Sequence, residues 1–150
     1  MENNKSLSIF ILDDDPFCGS LYEQHVRNLG FTNVKFFMDG QECLNSLTEQ
    51  PDVIFLDYHM EPLNGLDVLR KIKRFNPNIY LVVVSSQEDV QVAVNSLKYG
   101  AFDYIIKGRN EFERIGSVLR KVQEVIELLK QHPQGKWKKL RNMLGIEPKQ

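Results

Sequence analysis

Asp13, Asp14, Asp57, Ser85 and Lys107 are the side chains in this 150-residue sequence whose types suit one reaction together. Each closes a short apolar run: residues 7–12 before the aspartates, 53–56 before Asp57, 79–84 before Ser85 and 102–106 before Lys107. Carboxylates crowded into one place repel each other and raise each other's pKa unless a cation intervenes. A hard divalent ion, Mg²⁺ or Mn²⁺, relieves that repulsion with one or two carboxylates and leaves positions for phosphate oxygens. Lys107 offers a compact positive charge and Ser85 a hydroxyl, both suited to holding phosphoryl oxygens. Asp57, between them, could then act as a carboxylate nucleophile that forms an aspartyl phosphate. Such a transfer needs mainly positioning and charge neutralisation. A single Asp at a strand end is more often a cap, so the weight rests on the set.

The elements that must bring these residues together follow from the apolar pattern. Strands are expected at residues 7–12, 34–37, 53–57, 79–84 and 102–106. The run Val53-Ile54-Phe55-Leu56 reads as a strand buried on both faces. Helices are expected at 16–29, 41–48, 66–75, 88–99 and 111–131, where apolar residues recur at helical spacing. Pro16 suits a first helical turn, Asp15 an N-cap, and Gly30 a helix stop. Five β-α units in succession predict an α/β fold with a five-stranded parallel sheet, doubly wound in the flavodoxin-like order 2-1-3-4-5. In that order the first and third strands are neighbours at the switch point where ligands bind.

Composition excludes several classes. A formal charge of -1 and 42% hydrophobic residues describe an ordinary soluble domain, with no overall charge that calls for nucleic acid. No segment approaches the roughly 18 apolar residues of a membrane span. The N-terminus lacks a secretory signal pattern, and Cys18 and Cys43 have no CxxC spacing, so a reduced, cytoplasmic setting is expected. Residues 1–131 are expected as one domain. Residues 132–150 form a basic tail or the start of a linker to an output module, with five basic residues and one acidic. Its Lys136-Trp137-Lys138-Lys139 stretch is too short to predict direct nucleic-acid binding. Ile115, Val118, Val122, Val125 and Leu129 recur along the last helix. They leave a homodimer seam open, although two heptads fall short of the three or four that establish a coiled coil.

The chain resembles a response-regulator receiver domain of two-component signalling over roughly residues 6–131. The resemblance rests on Ile11-Leu12-Asp13-Asp14-Asp15-Pro16, on Leu56-Asp57 with Met60 and Gly65 following, and on Val83-Val84-Ser85-Ser86. Gly100-Ala101-Phe102-Asp103-Tyr104 and Lys107 complete it. It implies that Asp57 accepts phosphate from a sensor histidine kinase or phosphotransfer protein. Mg²⁺ would be held by Asp14, Asp57 and the backbone carbonyl of His59, with Asp13 acting through water. Ser85 and Lys107 would bind the phosphoryl oxygens, and Tyr104 would reorient with Ser85 on activation. His59 and Gln87 would tune dephosphorylation. The state would be relayed through the surface of the fourth and fifth strands and the last helix to an output domain or partner protein.

Two departures from the family's pattern stand out: Glu61 follows Met60 where proline is usual, and Gly108 follows Lys107 where proline is common. Two readings remain, a phosphorylation-controlled switch and a receiver-like interaction module that takes no phosphate. The intact acidic pair, acceptor, hydroxyl and lysine favour the switch. An enzyme turning over other substrates is not expected: an aspartate-nucleophile phosphatase of the haloacid-dehalogenase-like kind places a second Asp two residues on, where His59 stands.

Overall fold

The computed structural model describes residues 7–86, 90–131 and 144–145. Five strands alternate with five helices. They are β1 (Ile9–Leu12), α1 (Pro16–Asn28), β2 (Val34–Phe37), α2 (Gly40–Asn45), β3 (Val53–Asp57), α3 (Gly65–Phe75), β4 (Tyr80–Ser85), α4 (Val90–Lys98), β5 (Asp103–Ile106) and α5 (Glu111–Gln131). The strands form one parallel sheet in the order β2-β1-β3-β4-β5, as expected. By internal contacts the chain divides into Met1–Gly116, which carries the whole sheet, and Ser117–Gln150, which carries the rest of α5. Apart from Leu144 and Gly145, the basic tail lies outside the described residues.

The central strands are apolar because both faces are covered. Every residue of β1 and β3 is buried, and all of β4 except Tyr80, whereas the edge strands β2 and β5 are only partly so. Phe10, Leu12, Ile54, Leu56, Leu81 and Val83 meet α3 residues Val68, Leu69 and Ile72 in one cluster. Each such large side chain contributes about 1.5–3 kcal/mol when withdrawn from water.

Most boundaries fall within a residue of expectation, and two larger differences have a local cause. The helix expected over 41–48 ends at Asn45 and is followed by a 3₁₀ turn, Leu47–Glu49. Gln50 takes a left-handed conformation at φ 59° and ψ 59°, which ends the 3₁₀ turn ahead of Pro51 and β3. The first strand begins at Ile9 rather than Leu7: Ser8 donates its N–H to the Asp52 carboxylate at 2.8 Å, outside the ladder.

Helix ends are set by side chains. Asp15 caps α1 by accepting from Phe17 N at 3.0 Å, Asp39 caps α2, and Asn64 caps α3 by accepting from Asp67 N at 2.9 Å. Behind Asn64, Gly65 is pressed onto the end of β3. A Cβ there would lie 2.6 Å from both the carbonyl oxygen of Asp57 and the Cα of Tyr58. Those are backbone atoms that cannot swing aside, so Gly65→Ala is expected to cost about 1–3 kcal/mol, measurable as a lower midpoint in urea. An unchanged midpoint would contradict the contact.

Candidate functional site

Parallel pairing brings the polar strand ends to one edge. Leu12 pairs with Leu56, Asp57 with Val84, and Ser85 with Ile106, so the residues just past each strand end are neighbours. Backbone bonds continue the ladder outward: Asp13 N donates to Phe37 O at 3.0 Å, Tyr58 N to Val84 O at 3.2 Å, and Lys107 N to Ser85 O at 2.8 Å. The five residues singled out from sequence are thereby set along that edge.

Lys107 Nζ lies 3.3 Å from Asp13 Oδ2 and 3.6 Å from Asp57 Oδ1. Asp13 Oδ1 accepts from Asp15 N at 2.9 Å, and Asp57 Oδ1 accepts from His59 N at 3.4 Å. Asp13 and Asp57 are buried at 2% and 7% exposure, while Asp14 is exposed. Burial pushes the Asp57 carboxyl up to about 6; Lys107 opposes this, and Asp13 and then Asp14 add to it. Burial alone would lower the Lys107 ammonium, but Asp57 and Asp13 together outweigh it and leave its pKa raised. One lysine therefore serves two buried carboxylates.

Asp13, Asp14 and Asp57 each offer a carboxylate oxygen, and the three lie within 4.8 Å of one another. This is a hard, all-oxygen donor set of the kind Mg²⁺ takes, and Asp57, whose pKa is raised chiefly by burial, is a carboxylate that a nearby cation would favour in its ionised form. The residues fit such an ion. Beside them opens a cleft of about 400 Å³ lined by Asp14, Tyr58, His59, Met60, Glu61 and Asn64. The Glu61–Pro62 bond in its wall is cis.

Ser85 ends β4 and is fully buried. The His59 ring is exposed and stands edge-on to Tyr58 at 5.0 Å, so it is the backbone N–H of His59 that reaches the cluster. Tyr104 sits on β5 opposite Val83, half-buried against the core. Its carbonyl accepts from Arg114 Nη2 at 3.3 Å. Gln87 lies outside the described residues. A contact that strand-end reading did not anticipate is made by Glu111, whose carboxylate accepts from the N–H of Gly108, directly after Lys107.

A family model described as the response regulator receiver domain matches residues 9–120. The chain belongs to this family. The receiver domain is 33% identical over 115 residues to the transcriptional regulatory protein MalR of Bacillus subtilis, covering 75% of this chain and 48% of that protein. It is 31% identical over 117 residues to the transcriptional regulatory protein ZraR of Escherichia coli, covering 77% of this chain and 26% of that one. The chain thus spans half or less of these curated relatives. Among solved structures, a receiver domain protein from Clostridium thermocellum superposes with a TM-score of 0.75 at 25% identity, covering 82% of this chain and 98% of that one. The BeF₃-activated receiver domain of DrrB gives 0.72 at 25% identity, covering 79% and 98%. Receiver domains are regulators, and no described helix of this one is long and apolar enough to cross a membrane.

Proposed function

We propose that this receiver domain is a phosphorylation-controlled switch in which Asp57 accepts a phosphoryl group from a sensor histidine kinase or phosphotransfer protein. The observation that carries this reading is the Lys107 ammonium set between buried Asp13 and Asp57, 3.3 and 3.6 Å away. A carboxylate oxygen of Asp57 attacks phosphorus, and the donor's leaving group departs on the opposite side. Lys107 and the Ser85 hydroxyl hold the phosphoryl oxygens, and the buried position of Asp57 keeps bulk water away. Asp14, Asp57 and the His59 carbonyl, with Asp13 through water, would hold Mg²⁺ (or Mn²⁺). When bound, the ion would supply the positive charge that lets Asp57 act ionised and offsets the incoming phosphate.

Ser85 and Tyr104 register the new charge. Arg114 joins the Tyr104 backbone and Asp103 to the start of α5, at 3.3 and 3.2 Å. The state would be relayed over the β4–β5 surface and the last helix, and α4, which packs on β5, exposes Val90, Val94 and Leu97. Asp57 and its neighbours are components of a switch and turn over no other substrate. His59 and Gln87 set how water approaches the acyl phosphate, which the decay rate in Gln87→Ala reads; decay identical to wild type would contradict the Gln87 role. Residues 132–150 would lead to an output module or a partner, in a cytoplasmic setting, and a homodimer through α5 remains compatible with this arrangement.

Acetyl phosphate with Mg²⁺, followed on a phosphate-affinity gel, tests the proposal. A shifted band that is lost with a chelator is expected. No shift at all would favour the inert interaction module, and a shift indifferent to the chelator would remove the metal's role.

A further inference from the structure

We infer that Glu111, held by Tyr22, is a positioning residue that fixes Lys107 through the backbone N–H of Gly108. The inference rests on the phosphoacceptor reading and concerns how this chain manages without a proline after its lysine. Gly108 adopts φ +85°, which the proline ring, locked near −65°, cannot reach. Glycine at that φ is permitted but also free. Among the described residues nothing lies within 4 Å of where a Cβ would stand on Gly108, so their side chains do not pack against the turn there.

Hydrogen bonding holds it: Arg109 N donates to Ile106 O at 3.3 Å across the turn, and there is a bond on each side of Lys107. On one side Lys107 N donates to Ser85 O at 2.8 Å. On the other, Gly108 N–H, a donor that proline lacks, donates to Glu111 Oε1. The second carboxylate oxygen, Oε2, accepts from the hydroxyl of Tyr22 on α1. The Tyr22 phenol is pushed upward, first by burial and then by this bond, so it remains a donor.

A glutamate in the first turn of a helix is ordinarily just favourable to the helix dipole. Here its two oxygens instead link the loop to α1 across 89 residues of sequence. The same junction is braced by Phe112, whose carbonyl lies 2.8 Å from His25 Nε2 and whose ring lies 5.6 Å from that of Tyr22. The carboxylate thereby does by hydrogen bonding what a proline ring does by covalent restriction. It keeps the Lys107 backbone still, so that Nζ reaches Asp13 and Asp57.

Phosphoryl uptake from acetyl phosphate and Mg²⁺, timed by intact mass on the full chain, separates this role from plain stabilisation. Glu111→Ala is expected to slow uptake by roughly ten- to a hundredfold, as displacement of a reacting group by about 1 Å does. Glu111→Gln keeps an acceptor oxygen for Gly108 N–H, and its amide NH2 can donate to the Tyr22 hydroxyl oxygen once that hydroxyl turns, so uptake is expected to stay within about twofold of wild type. In a Lys107→Ala background, Glu111→Ala should change the rate by less than about twofold, because the two act as one unit. If Glu111→Ala does not fold, Tyr22→Phe, which removes only the second donor, should still slow uptake in the Lys107 background and not in the Lys107→Ala one. Wild-type uptake in Glu111→Ala, equal slowing with or without Lys107, or a Gln variant as slow as Ala would overturn the inference while leaving the phosphoacceptor reading intact. No uptake by wild type would overturn both.

Discussion

Asp57→Asn is expected to make the domain more stable at neutral pH while abolishing its phosphorylation. The folded-state pKa of Asp57 is raised from 3.8 to about 6, chiefly by burial. Below 3.8 the carboxyl is protonated in both folded and unfolded chains, and the group costs nothing. As pH rises toward 6 the unfolded chain releases its proton first, so stability falls with pH across that window. Above about 6 the full cost of keeping a buried charge is present, at most about 3 kcal/mol at 1.36 kcal/mol per pKa unit. Asparagine keeps the shape without the charge. Urea unfolding at pH 7.5 without divalent ions should give the variant the higher midpoint, and the gap should narrow by pH 4.5. Adding Mg²⁺ should raise the wild-type midpoint and move the variant's much less, since an ion bound only to the folded state stabilises it. Equal midpoints at pH 7.5 would mean that the carboxylate is not in deficit of positive charge.

Lys107→Ala is expected to lower phosphoryl uptake by about 10²–10³-fold, the usual loss when one preorganised donor to a developing charge is removed. Two effects combine. The ammonium no longer holds phosphoryl oxygens, and the largest influence keeping the Asp57 pKa down is gone, so less of the acceptor is ionised at pH 7. The same variant should bind Mg²⁺ more tightly, because Nζ no longer competes for Asp13 Oδ2 and Asp57 Oδ1 at 3.3 and 3.6 Å. A calorimetric titration reads this directly. Weaker binding in the variant would show that Lys107 orders the carboxylates rather than competing for them.

How much of this was open to inspection in the sequence depends on distance along the chain. The sheet and its edge were legible because each central strand is a short apolar run stopped by a polar residue, and parallel pairing sends all such stops to one side. Asp13, Asp57, Ser85 and Lys107 meet for that reason alone. The break after Asn45 was less legible, since it depends on Gln50 turning to φ 59° ahead of Pro51. Gly108 was visible as a departure from the family's pattern, but its consequence was not. That required the φ of +85° and a carboxylate three residues on whose other oxygen is held by Tyr22. Nor does a sequence say how deeply Asp57 is buried, and that depth sets its proton affinity.

The intact mass of wild type and Asp57→Asn, incubated side by side with acetyl phosphate and Mg²⁺, tests the central claim most directly. Wild type is expected to gain the mass of one phosphoryl group and the variant none. No gain in wild type, or an equal gain in Asp57→Asn, would contradict it.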